Sequence, residues 1–157
     1  MELDWSDGPS RTSLSPNEQD TRVLPLHERL PAEVLIVGGG SSRSYPRLHR
    51  GEVGLDVAVH AAPDVYGTIL EAPFPERTFR RVVFQWLPVA LCWNASALRE
   101  ALRLLREGGE LRIETSRNAV PWDVEDLLAE CGFSHVKIVP LGRSDLPHGV
   151  AVTALRV

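Results

Sequence analysis

Residues Val34 to Gly40 read VLIVGGG, an apolar, mostly β-branched run that stops at three consecutive glycines. A strand buried in a parallel sheet has this composition. Glycine at its carboxyl end lets the backbone turn sharply and approach a ligand closely. In open α/β sheets, ligands bind outside the carboxyl ends of the strands, where strand order reverses. A plain tight turn would use the same glycines, so the flanking sequence has to decide between them.

Further strands are expected at Glu33–Val37, Glu52–Val57, Val65–Tyr66 and Arg81–Trp86, the last with a β-branched and aromatic centre. ASALREALRLLR follows, with Leu98, Ala101, Leu102 and Leu105 on one helical face and arginines and glutamate on the other. Asn94 or Ser96 can cap this helix, and Gly108-Gly109 is the expected stop before a strand in GELRIET. Pro121 opens a second helix, PWDVEDLLAEC, whose early Asp123, Glu125 and Asp126 suit the positive end of a helix dipole. HVKIVPL and GVAVTALRV flank the polar turn RSDLPH and predict an antiparallel edge hairpin. The order predicts an α/β fold: a Rossmann-like, mainly parallel sheet with helices on both faces and an antiparallel C-terminal edge.

The chain has 157 residues, 43% hydrophobic and 24% charged, as an ordinary globular domain does. Residues 1–31 are polar and acidic with no strong periodicity. They predict a partly mobile amino-terminal arm with a short helical piece near Leu24–Leu30, ahead of a folded domain over 32–157. The net charge of −4 and the single lysine, Lys137, argue against a nucleic-acid surface. No run approaches the roughly 20 apolar residues of a membrane span, and the amino terminus has no signal-peptide core. A cytoplasmic protein without nucleic-acid or membrane partners is expected. Cys92 and Cys131 lack metal-ligand spacing and predict buried free thiols; no metal site is expected.

Four segments together resemble the class I S-adenosylmethionine-dependent methyltransferases, most closely their small type 11-like branch. VLIVGGGSS matches the glycine-rich cofactor loop, with Gly38 and Gly40 at its first two glycines. EVGLDVA places Asp56 at the acid that accepts hydrogen bonds from the ribose hydroxyls, a role suited to an acceptor-only carboxylate. GTILEAPFPERTFRRVVF matches the stretch that carries the adenine end, and LREALRLLREGGELRIE matches the helix, GG turn and strand. The first helix after the glycine loop is expected to be shortened or missing, because only SSRSYPRLHRG, with Pro46 and Gly51, stands there. Ile36, Ser42, Thr68 and Arg80 stand where the family usually has an acid, a glycine and two further acids.

The resemblance implies S-adenosylmethionine as cofactor, held by Gly38, Gly39, Gly40, Ser41, Asp56, Val57, Thr68, Ile69 and Gln85. It implies a small-molecule methyl acceptor near Trp86, Trp93 and His60. In-line positioning of nucleophile and methyl can supply most of the acceleration, so no catalytic residue is assigned. Two other readings stay open: a non-catalytic partner subunit, and a cyclisation or rearrangement enzyme on the same fold. Either a homodimer or a hetero-partner is compatible with the chain.

Overall fold

The computed structural model describes residues 26–38, 50–57 and 63–157. A helical turn α1 (Leu26–Arg29) precedes strands β1 (Val34–Val37), β2 (Glu52–Asp56) and β3 (Val65–Tyr66). A 3-10 turn (Ile69–Glu71) leads to β4 (Phe79–Gln85), the short α2 (Val89–Cys92) and α3 (Ala95–Leu104). β5 (Leu105–Ser116), a 3-10 turn (Arg117–Ala119), α4 (Val124–Glu130), β6 (Phe133–Pro140) and β7 (Gly149–Arg156) complete the chain. The seven strands form one sheet in the order β3-β2-β1-β4-β5-β7-β6. β3, β2, β1, β4 and β5 run parallel, while β7 is antiparallel to both β5 and β6. The order reverses between β1 and β4, so a crevice is expected outside their carboxyl ends.

The main core lies on one face of this sheet. Leu35, Val37, Val53, Leu55, Val82, Phe84, Leu111, Ile113, Val152 and Ala154 meet Leu98, Ala101 and Leu104 of α3 and Val124 and Leu128 of α4. Of the described helices, α3 and α4 pack into this cluster. The opposite face carries a small cluster, Val34, Ile36 and Val83, and beyond it charged side chains. Arg81 pairs with Glu110 at 3.0 Å and Arg112 with Glu114 at 3.0 Å. The strict alternation of burial along Leu111–Ser116 is the signature of a strand with one core face and one polar face. The shortened first helix falls on 39–49, outside the described residues.

Local chemistry sets the element ends. The Asn94 side chain caps α3, accepting from the amides of Ser96 at 2.8 Å and Ala97 at 3.2 Å. α3 stops at Leu104, before the two glycines, because Leu105 already pairs with Phe79 of β4. The glycines instead make a bulge between the Phe79–Leu105 and Arg81–Glu110 pairings. A Cβ on Gly109 would lie 2.8 Å from the Arg106 carbonyl and 3.1 Å from that of Arg80, so only glycine fits.

At the other edge, β3 is two residues long and leaves backbone groups of β2 unpaired by any strand. Arg29 of α1 donates to the Glu52 carbonyl at 2.7 Å, and Asp64 accepts from the Gly54 amide at 2.8 Å. The two side chains join in a bidentate ion pair of 2.6 and 2.7 Å, buried at 3% and 12% exposure. Among the described residues, no helix is long and apolar enough to cross a membrane.

Candidate functional site

The carboxyl edge of the parallel strands brings distant residues level. Val37 pairs with Leu55 and with Phe84, and the Gly38 amide donates to the Leu55 carbonyl at 3.0 Å. One residue further along, Gly38 stands between Asp56 and Gln85, and Gln85 pairs with Glu114. A row therefore crosses the sheet: Tyr66, Asp56, Gly38, Gln85, Glu114. Strand spacing puts Asp56 and Gln85 about 10 Å apart, with a residue that has no side chain between them. Because side chains alternate along a strand, this row faces away from the main core.

Each member has a distinct setting. Gly38 has a φ of +86°, and a Cβ there would meet Leu87 Cδ2 at 2.5 Å and the Gln85 carbonyl at 3.0 Å. Leu87 thus leans over the glycine. Asp56 is half-buried at the end of β2, and its carbonyl accepts from the Gly67 amide at 3.0 Å. Beside it, Val57 (68%), Tyr66 (58%) and Leu70 (47%) form an exposed apolar rim. Thr68 caps the 3-10 turn, its hydroxyl accepting from the Leu70 amide at 3.1 Å. Ile69 points the other way: it is 1% exposed and belongs to the main core.

Gln85 is 8% exposed, and its Nε2 donates to Glu114 Oε1 at 3.2 Å. Arg112 Nε holds the second oxygen of Glu114 at 3.0 Å. Trp86 adopts a φ of +52°, an outlier for an aromatic residue, while its amide donates to the Glu114 carbonyl at 3.0 Å. Trp93 packs against the main core, and its indole nitrogen finds no hydrogen-bond partner among the described residues.

The structure therefore brings Gly38, Asp56, Val57, Thr68, Gln85 and Trp86 to one edge, and turns Ile69 and Trp93 toward the core. Gly39, Gly40, Ser41 and His60 lie outside the described residues. Sequence reasoning missed Glu114, Arg112 and Leu87. The alternation E-L-R-I-E over 110–114, which puts its charges on one face, was the available signal for the first two. Both cysteines are buried free thiols; burial pushes the Cys92 thiol up to about 12 and raises that of Cys131, so neither is a poised nucleophile. Among the described residues, no group of three or more His, Cys, Asp or Glu gathers as a metal site.

No family model matches the chain, and no curated protein matches its sequence. Solved structures do match its backbone. A methyltransferase from Aquifex aeolicus, described as S-adenosylmethionine-dependent, superposes with a TM-score of 0.61 at 16% identity, over 80% of this chain and 82% of that one. The N-methyltransferase NodS of Bradyrhizobium japonicum gives 0.57 at 17% identity, over 80% and 85%. A Haloferax volcanii methyltransferase complex with the Trm112 activator gives 0.54 at 14% identity, over 82% and 85%. With the strand order and the antiparallel β7 described above, these likenesses show that the chain has the fold of the class I S-adenosylmethionine-dependent methyltransferases.

Proposed function

We propose that this protein binds S-adenosylmethionine and transfers its methyl group to a small-molecule acceptor. The observation that carries the reading is the Asp56–Gly38–Gln85 row at the reversal of strand order. Asp56 accepts the two ribose hydroxyls, a role suited to a carboxylate, which has several acceptor sites. Gly38, with Gly39, Gly40 and Ser41 after it, lets the backbone run close to the amino-acid part of the cofactor. Val57 and the backbone at Thr68–Ile69 border the adenine, where Val57, Tyr66 and Leu70 supply exposed apolar surface for a planar ring. The acceptor enters on the β4 side, near Trp86. The bound cofactor supplies a methyl already activated on a sulfonium. The protein's own work is to hold the acceptor in line and to exclude water.

Leu87 favours a second reading. Gly38 is required by the packing of Leu87 whether or not a cofactor binds, which suits a non-catalytic subunit on the same fold. Calorimetry with S-adenosylhomocysteine separates the two. The methyltransferase reading expects binding by the wild type and a loss of about tenfold or more in Asp56→Ala, the scale of one lost charged hydrogen bond. Absence of binding at millimolar ligand leaves the subunit reading.

A further inference from the structure

The chain Arg112–Glu114–Gln85 has a direction. Glu114 is an acceptor only, with one oxygen taken by Arg112 Nε at 3.0 Å and the other by Gln85 Nε2 at 3.2 Å. Both oxygens of the carboxylate can only accept, so the group that meets Glu114 Oε1 must be the NH2 of Gln85. That fixes which way the Gln85 amide is turned. Its Oε1, which accepts from no described residue, is the atom left to face the row beside Gly38.

Resting on the methyl-transfer reading, we infer that Gln85 receives an N–H of the methyl acceptor, and that the acceptor is a small-molecule amine. Three points of chemistry converge on this class. With the ribose at Asp56, the sulfonium lies one carbon beyond it. Across Gly38, over which Leu87 leans, the next side chain in the row is Gln85. An amide oxygen cannot take a proton, so it does not activate a hydroxyl; an amine already has a lone pair and needs only to be turned. A carboxylate at position 85 would hold that amine as ammonium and remove the lone pair, whereas a neutral amide orients N–H without raising the amine's pKa. In the step itself, the nitrogen lone pair forms the bond to the methyl carbon while the carbon–sulfur bond breaks. The electron pair goes to sulfur, and an N–H proton leaves to water. Glu114 and Arg112 are positioning residues that act through Gln85.

Sinefungin, which carries an amine in place of the transferable methyl, puts N–H donors at the methyl's place, directed toward that of the acceptor nitrogen, and S-adenosylhomocysteine has none. Calorimetry on the full chain should find sinefungin bound about tenfold more tightly, a difference of about 1.4 kcal/mol. In Glu114→Gln, Arg112 still takes the side-chain oxygen at 114, so the new amide group donates to Gln85 and turns it over. An NH2 then faces the sinefungin amine, and the preference should vanish or reverse while affinity for S-adenosylhomocysteine stays within about twofold. Gln85→Met, nearly isosteric and without the amide, should also abolish the preference, and serves if the first variant melts early. No preference in the wild type, or one unchanged in both variants, overturns the assignment. Failure of the wild type to bind either ligand removes the methyltransferase reading itself.

Discussion

Gly38 carries two constraints in one residue. Its φ of +86° excludes ordinary side chains, and the space a Cβ would occupy already holds Leu87 Cδ2 at 2.5 Å. Gly38→Ala should therefore lose about 1–2 kcal/mol from the left-handed backbone alone, with a further loss from overlap. Leu87→Ala in the same chain should recover the overlap but not the backbone cost. Denaturant titration of the two single variants and the double variant reads that coupling directly. The glycine was legible from VLIVGGG, because a β-branched run ending in glycine has few other readings. Leu87 was not, since nothing local marks a leucine two residues past a strand as the neighbour of a glycine nearly fifty residues earlier. Ile69 shows the same limit from the other side. Motif spacing sets it beside the adenine, while the pleat and the 3-10 turn direct its side chain into the core.

At the scale of elements, α3 is held to the turn before β4 by two of its polar residues. Glu100 accepts from the Ala72 amide at 2.8 Å and pairs with Arg103, whose Nη2 donates to the Ala72 carbonyl at 3.2 Å. Burial pushes the Glu100 carboxyl up, but the Arg103 hydrogen bond, the Ala72 amide and the arginine's charge together outweigh it, and its pKa falls below the ordinary value. A depressed carboxylate contributes stability that is present above its unfolded pKa, near 4.5, and is lost as pH falls through the lower folded value. Glu100→Gln keeps an acceptor for Ala72 and removes the charge. Its melting temperature should trail the wild type at pH 7, and the gap should close as the buffer is taken below about pH 4. Helical spacing made α3 legible, and Asn94 marked its start. Its end was not legible at Gly108-Gly109: pairing of Leu105 with Phe79 recruits the last turn into the sheet, and tertiary pairing overrides a local stop signal.

Across the whole molecule, the parallel order and the terminal hairpin were readable because each strand announces itself by composition and by the turn or helix signal that follows it. What composition cannot give is which face a helix covers. Charges at Glu110, Arg112 and Glu114 mark the second face of β5 as polar, and their ion pairs run along the sheet. The amino-terminal residues reach the opposite edge through Arg29, whose pair with Asp64 stands in for the ladder that the short β3 leaves unmade. Arg29→Ala strips one partner from a buried pair and leaves Asp64 without its counter-charge. A loss of about 3 kcal/mol in urea unfolding is expected, larger than for any of the exposed arginines such as Arg143.

The sheet order also has a consequence in time. β6 and β7 are joined by one short turn and pair Pro140 with Val150, ten residues apart, whereas β1 reaches β4 only across 47 residues, from Val37 to Phe84. Closing the longer loop costs more entropy before any pairing rewards it. The β6–β7 hairpin should thus acquire slow-exchanging amides before the β1–β4 pair in a pulse-labelling refolding experiment. Ile36, Val37 and Val83 should follow. Earlier protection of β1 than of β7 would contradict that sequence of events. The crevice at β1 and β4 would then be the last part of the molecule to form and the first to open, so a ligand bound there would slow unfolding of the whole chain by closing its earliest exit.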